Sequence, residues 1–214
     1  MHYVDLSREV LAETLLAAGP DAPTLCAGWR TRHLAAHLVL RERNPKVGLG
    51  LMLRKFAGTS DRATDRLAGE HASPARYARL VGQFRAGPPA LSPLRLPALD
   101  EAANLAEFFV HTEDVRRASD RWAPRALDAA YADALWHEVV KRAAFLYRGV
   151  DLGIVLVSTD GPRHVAKRAA VSVAIVGDPG ELLLHAHGRT DHALVTFEGQ
   201  PDAVALLTSA DIGI

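Results

Sequence analysis

The hydrophobic pattern of this 214-residue chain changes its period near residue 150, and this change constrains the fold more than any other feature. Before that point, apolar residues recur at the three- and four-residue spacing of amphipathic helices. After Gly149, short segments rich in Val and Ile alternate in the way that half-buried strands do. The pattern predicts an α+β protein with two domains, a helical domain over residues 1–149 and a small α/β domain over residues 150–214.

Helical spacing and end signals place the helices of the first domain. The predicted helices span residues 5–18, 29–44, 74–86, 100–119 and 127–147. Gly19-Pro20 and Asn44-Pro45 end the first two, because proline disfavours a helix at the residue before it. Residues 46–72 are ambiguous, with a short helix around 49–56 and then a polar loop from Thr59 to Arg62. Long helices joined by loops indicate an up-and-down four-helix bundle.

The second domain carries the strand signals. Predicted strands cover residues 153–158, 170–176, 181–187 and 193–198, and a short helix covers residues 201–209. Turn signals rich in Gly, Asp and Pro separate them, as between strands of a small sheet. Four short strands and one closing helix fit a compact α/β domain.

Composition excludes several classes of protein. Twenty-five basic and 25 acidic residues balance, so the broad positive field of a non-specific nucleic-acid binder is absent. The single cysteine cannot form an internal disulfide, which favours a reducing compartment. No apolar run reaches the roughly 18 residues of a membrane span, and the N-terminus lacks the pattern of a signal peptide. We therefore expect a cytoplasmic protein that binds neither membrane nor nucleic acid.

Three residues form a candidate metal site. Glu107 and His111 stand four residues apart on a largely apolar predicted helix, so both share one face. His37 lies in a second apolar helix segment. A buried carboxylate is costly unless it is paired or bound to a cation, and two histidines with a carboxylate suit a catalytic Zn²⁺ site with an open fourth position. Spacing alone leaves open a solvated Glu–His pair, a core role for His37, and participation of His33, four residues before His37.

Asp114 and Cys26 each admit two interpretations. Asp114 follows His111 by three residues, so it could orient a ligand histidine or form a surface ion pair with Arg116 or Arg117. Cys26 could be a nucleophile, but no basic neighbours suggest an activated thiol, and a small buried residue is favoured.

Two segments give the chain a resemblance to a known family. One runs from Leu25 through Gly28-Trp29 to His37, and the other begins Glu107-Phe-Phe-Val-His111. Together they resemble the mycothiol-dependent maleylpyruvate isomerase family, which belongs to the DinB-like metalloenzyme superfamily. The segments 177–182, 188–189 and 197–203 resemble the small C-terminal domain of the same family, so the resemblance covers nearly the whole chain.

The resemblance implies a fold and a set of roles. It implies a DinB-like four-helix bundle in which His37, Glu107 and His111 hold one divalent metal ion, Zn²⁺ first and Ni²⁺, Fe²⁺ or Mn²⁺ as other ions that such ligands suit. It also implies mycothiol as the thiol cofactor and a catalytic arginine from the C-terminal domain. Arg189, in the turn Gly188-Arg189, is the best match for that arginine; the other interpretation is an ordinary exposed turn residue.

The expected function is that of an enzyme that activates a thiol at its metal ion. The thiolate would attack a small electrophilic substrate, with S-transfer or isomerisation as the outcome. Two alternatives remain open: a metal-dependent hydrolase or lyase that uses bound water, and a non-catalytic sensor that binds a metal ion or small ligand. The expected partners are the small-molecule thiol and the electrophile, and the chain is expected to be a monomer or a homodimer.

Overall fold

The computed structural model describes residues 3–44, 57–159 and 161–213, and it confirms the α+β class. The chain divides into two compact units, residues 1–123 and residues 124–214. All strands of the sheet belong to the second unit. Among the helices of the described residues, none has both the length and the apolar character that crossing a bilayer requires.

Helices joined by loops make up the described part of the first unit, with one isolated β-bridge between Pro23 and Arg30. Its α-helices are α1 (Tyr3–Ala18), α2 (Thr31–Arg43), α3 (Ala57–Glu70), α4 (Pro74–Arg85) and α5 (Pro97–Arg116). Helix α1 ends where Gly19 adopts a φ of 76°, a left-handed conformation that glycine tolerates, and its N–H bonds to the Leu15 carbonyl. Helices α4 and α5 both carry proline in their first turn, where its missing N–H costs no hydrogen bond.

Helix α1 packs against α4 and α5, and α2 packs against α3 and α4. The apolar core between them includes the fully buried side chains Leu11, Leu15, Leu34, Leu38, Leu80, Phe84 and Phe108. Burying one such side chain contributes roughly 1.5–3 kcal/mol. This core holds α2 and α5 in place, and these are the two helices that carry the candidate ligands.

A buried ion-pair network also links the helices. Arg8 on α1 donates to Glu42 Oε1 at 2.6 Å and to Asp100 Oδ2 at 3.2 Å. Its guanidinium lies over the rings of Phe84 and Phe108, 5.2 and 4.8 Å from their centroids. The network joins α1, α2 and α5 through side chains that are almost entirely withdrawn from water.

Helix α3 contradicts the predicted loop at Thr59–Arg62. Its buried positions Ser60, Thr64 and Ala68 recur every four residues, so the helix turns a stripe of small side chains inward. Small and weakly polar residues give no amphipathic signal of the usual kind, because that signal depends on large apolar side chains. The predicted short helix around residues 49–56 lies outside the described residues.

The second unit combines three helices with a mixed sheet. Its elements are α6 (Ala129–Leu146), β1 (Gly153–Ser158), β2 (Arg163–Lys167), β3 (Ser172–Gly177), α7 (Pro179–Ala186), β4 (Thr196–Glu198) and α8 (Pro201–Thr208). The strand order is β2-β1-β3-β4, with β1 parallel to β3 and both outer pairs antiparallel. The predicted strand over 153–158 and the closing helix are confirmed.

The strand predicted over residues 181–187 is wrong, because α7 occupies Pro179–Ala186. Every residue from Gly180 to Ala186 is buried, including Glu181 and His185, so the segment has no exposed face and its periodicity cannot separate a helix from a strand. The edge strand β2 was not predicted. It reads Arg-His-Val-Ala-Lys and is largely exposed, so it lacks the apolar run that marks an inner strand.

Helix α6 lies in the second compact unit, whereas the sequence pattern places the domain boundary at residues 149/150. Within that unit, α6 packs against α7 and β2. Its apolar residues follow the same helical period as those of the preceding helices, so the sequence pattern assigns it to the helical domain. The packing partners of its buried face place it with the sheet.

Candidate metal centre

Helices α2 and α5 bring His37, Glu107 and His111 together in the first unit. His37 lies in the middle of α2, and Glu107 and His111 lie one turn apart on α5. Both histidines are buried, while 28% of the Glu107 side chain remains exposed. The cluster is therefore buried at its imidazoles and open to solvent at its carboxylate.

One carboxylate oxygen lies between the two imidazoles. Glu107 Oε1 is 3.1 Å from His37 Nε2 and 3.1 Å from His111 Nε2. The two rings stand edge to face, with centroids 5.3 Å apart. One donor atom from each residue lies within 4.8 Å of the other two.

The donor set and its spacing fit a divalent ion. Tetrahedral coordination with bonds of about 2.0–2.1 Å separates neighbouring N and O donors by roughly 3.3 Å. The two separations from Glu107 Oε1, 3.1 Å each, are close to this value, and the donor atoms of the two histidines lie within 4.8 Å of each other. Three protein ligands would leave one position for an exchangeable ligand, as in catalytic rather than structural zinc sites.

Asp114 orients His111. Its carboxylate is fully buried, and Asp114 Oδ2 lies 2.8 Å from His111 Nδ1. With an ion at the candidate metal position, the Nδ1 proton would be donated to this oxygen and the lone pair of Nε2 would face the ion. Of the two interpretations of Asp114, the geometry favours the orienting one, while Arg116 and Arg117 both pair with Glu113.

The loop before α2 reaches the same carboxylate. Leu25 N–H donates to the Asp114 carbonyl at 2.9 Å, and Cys26 Sγ donates to Asp114 Oδ2 at 3.2 Å. The Trp29 ring lies 5.2 Å from the His37 ring. Within the part of the chain that the structure describes, His37 Nδ1 has no hydrogen-bond partner. Packing against Trp29, rather than a second hydrogen bond, therefore orients His37.

His33 takes a different role from His37. Its Nδ1 accepts the backbone N–H of Arg30 at 3.1 Å and so caps the start of α2. Sequence spacing alone left open whether His33 takes part in the site. In the structure His37 lies in the cluster, whereas His33 caps the start of the helix.

Arg41 is a residue of the centre that the sequence interpretation missed. Its Nε lies 3.5 Å from Glu107 Oε1, and its Nη2 donates to the Ala103 carbonyl on α5 at 2.7 Å. It follows His37 by four residues, so the same helical spacing that linked Glu107 to His111 could have found it. It places a permanent cation beside the carboxylate.

The charges of the cluster shift its acid–base properties. Burial alone would raise the pKa of Glu107, but Arg41 and the two imidazoles hold that pKa well below its usual range. Burial would lower the pKa of His111, but hydrogen bonds to Asp114, Cys26 and Glu107 raise it well above its usual value. Desolvation lowers the pKa of His37, against the opposing effect of Glu107. Glu107 is therefore ionised at neutral pH, ready to bind a cation.

Arg189, the predicted catalytic arginine, lies in the second unit. It is half-buried, and its Nη1 donates to the His187 carbonyl at 2.6 Å. His185 and His187 lie in and directly after helix α7 rather than on a strand, with His185 Nδ1 2.8 Å from the Tyr147 hydroxyl. A catalytic role of Arg189 stays a prediction.

No family model, no curated protein and no solved structure matches this chain. The arguments for its function therefore come from its own residues, from the geometry of the His37–Glu107–His111 cluster, and from the resemblance of its two motifs.

Proposed function

We propose that this chain is a divalent-metal-dependent enzyme that activates a thiol, mycothiol as first choice, for S-transfer to a small electrophile or for its isomerisation. The ligands would be His37, Glu107 and His111, with Zn²⁺ as the first candidate and Ni²⁺, Fe²⁺ or Mn²⁺ as the others. The observation that carries the proposal is the position of one carboxylate oxygen 3.1 Å from two imidazole nitrogens. When bound, the ion would lower the pKa of a ligand at its open position and so supply a nucleophile at neutral pH.

The surroundings of the three ligands support a catalytic rather than a structural role. The partial exposure of the Glu107 side chain leaves the cluster open to solvent on one side, as an exchangeable ligand requires. By accepting a proton from His111 Nδ1, Asp114 would hold the ring with Nε2 towards the cluster when an ion is bound. A structural zinc site, by contrast, has four protein ligands and no open position.

The charge balance favours an anion at the open position. Arg41 offsets the charge of Glu107, and Asp114 adds one buried negative charge. A divalent ion would leave this partly buried cluster with surplus positive charge, which stabilises an anionic ligand over a neutral one. This supports a thiolate as the species that the site holds.

The proposal includes the fold and the family. The helices of the first unit would form a DinB-like bundle, and the chain would belong with the mycothiol-dependent maleylpyruvate isomerases. Arg189 would contribute a cation for the substrate, since a guanidinium binds carboxylates through two parallel hydrogen bonds. Residues of both motifs make the contacts of the cluster. The first motif contributes Trp29 and His37, and the second contributes Glu107, His111 and Asp114.

A thiol titration tests the proposal. The chain is loaded with Co²⁺, whose visible absorption changes when a ligand exchanges, and is titrated with mycothiol, with glutathione as a second thiol. We expect the spectrum to change until one thiol is bound per chain, and His137→Ala, which removes an exposed histidine of the second unit, to behave like wild type. A spectrum that no thiol alters would contradict thiol activation. Hydrolysis of substrates without thiol would then favour the water-based enzyme, and ion binding without turnover the sensor.

A further inference from the structure

A second set of metal-ligating atoms lies on the other side of His111. Cys26 Sγ, Asp114 Oδ2 and His111 Nδ1 come within 4.8 Å of one another. Cys26 is the only cysteine of the chain, carries no disulfide and is partly exposed as a residue. None of these three atoms belongs to the set formed by His37 Nε2, Glu107 Oε1 and His111 Nε2.

The hydrogen bonds of this second set converge on one point. Cys26 Sγ lies 3.2 Å and His111 Nδ1 lies 2.8 Å from the same oxygen, Asp114 Oδ2. Two donors aimed at one acceptor become two ligands when a cation takes the place of the protons between them. The resulting set of sulfur, nitrogen and oxygen suits an ion that prefers thiolate, because the thiolate is the soft ligand among the three.

We propose that this centre has a second, thiophilic ion position formed by Cys26, Asp114 and His111, and that this position and the one at His37 and Glu107 exclude each other through their shared histidine. The ion class is that of Cd²⁺ and related soft cations. The Cys26 position stands on its own contacts, whereas the exclusion rests on the ligand role of His111 in the proposed function.

The exclusion follows from the single N–H of a neutral imidazole. With an ion on Nε2, the proton lies on Nδ1 and is donated to Asp114. With an ion on Nδ1, the proton lies on Nε2 and is donated to Glu107 Oε1, 3.1 Å away. Moving the ion from one side to the other therefore shifts the imidazole proton between its nitrogens, and Cys26 releases its own proton to solvent as its sulfur binds.

The two positions differ in how much they must open. An ion bonded to nitrogen and oxygen at about 2.0–2.1 Å needs these donors roughly 3.3 Å apart. On the Glu107 side the separation is 3.1 Å, and on the Asp114 side it is 2.8 Å. At these zinc bond lengths the Cys26 side must expand by roughly half an ångström, and a larger ion needs more. A metal–thiolate bond offsets this expansion for soft ions but not for hard ones. Hard and borderline ions are expected at Glu107 and soft ions at Cys26.

Cadmium titration of the metal-free full-length chain tests this assignment, because a cadmium–thiolate bond absorbs in the ultraviolet. We expect the band in wild type to saturate at one ion per chain. His37→Ala, which removes a ligand from the other side only, should keep the band, and Cys26→Ser, which replaces sulfur by oxygen at nearly equal size, should lose it. The unfolding temperature of each metal-free variant verifies that it is folded. Absence of the band in wild type, or its loss in folded His37→Ala, would overturn the assignment.

A second titration tests the exclusion. Cadmium is added to zinc-loaded wild type, and the zinc released to a chromophoric indicator is measured beside the ultraviolet band. We expect zinc release in step with the growth of the band; a full band with the zinc retained would overturn mutual exclusion. Failure of the proposed function gives a different result from both. In that case zinc does not bind at His37, Glu107 and His111, although the cadmium band is still present.

Discussion

Replacing Asp114 by Asn should weaken zinc binding at His37, Glu107 and His111, although Asp114 is not a ligand of that position. The substitution keeps the shape of the side chain and removes the negative charge that accepts a hydrogen bond from His111 Nδ1 at 2.8 Å. Loss of a buried partner of a ligand histidine typically costs 10–100-fold in metal affinity, or about 1.4–2.7 kcal/mol. Because the carboxylate is fully buried and its bond to His111 is charge-assisted, we expect a loss in the upper part of this range.

The assay is competition between the chain and a chromophoric chelator for Zn²⁺ at pH 7.5. Asp133→Asn is a matched control, since it makes the same chemical change at an exposed site on α6 and should leave the affinity unaltered. Thermal unfolding of the metal-free variants verifies that both are folded. If folded Asp114→Asn bound zinc as tightly as wild type, the argument that Asp114 orients His111 for metal binding would fail.

Three further outcomes follow from the contacts. Arg41→Met should weaken thiolate binding in the spectral titration while Co²⁺ remains bound, because the cation beside the cluster is lost. Arg41→Lys, which keeps a positive charge, should restore part of the thiolate affinity. Arg8→Met should lower the free energy of unfolding in urea by about 3–5 kcal/mol, because two buried carboxylates lose their partner; Arg85→Ala, at a partly exposed pair, should cost about 0–1 kcal/mol. Burial lowers the pKa of His185 to about 4. Between about pH 6.5 and pH 4 the unfolded chain therefore binds a proton at this histidine that the folded chain does not. The free energy of unfolding falls as the pH is lowered through this range, by roughly 3 kcal/mol in all. Urea unfolding at pH 7.5 and pH 5 should show this loss in wild type and a smaller loss in His185→Gln; equal losses would refute it.

The sequence predicted those elements whose signals are local. Large apolar side chains at helical spacing, together with proline and glycine at the ends, identified α1, α2, α4 and α5. Where burial does not follow that pattern, prediction failed. The fully buried residues Ser60, Thr64 and Ala68 of α3 are small, and α7 is buried on every side, so neither gives the usual period.

The candidate site was predictable in part for a similar reason. Glu107 and His111 share a helix face, so their spacing brings them together in any fold. That His37 meets them, and that Asp114 turns towards His111 rather than towards solvent, depends on how α2 and α5 pack. The approach of Cys26 to Asp114 depends on the path of a loop and has no signal in sequence spacing.

The measurement that tests the central claim most directly is the metal content of the purified chain. Wild type prepared without chelator or histidine tag should contain about one divalent ion per chain, as a three-ligand centre holds a single ion. His37→Ala, Glu107→Ala and His111→Ala should lose it, while His137→Ala, at an exposed histidine, should keep it. Wild type that remains metal-free after reconstitution with Zn²⁺, Ni²⁺, Fe²⁺ and Mn²⁺ would contradict the account.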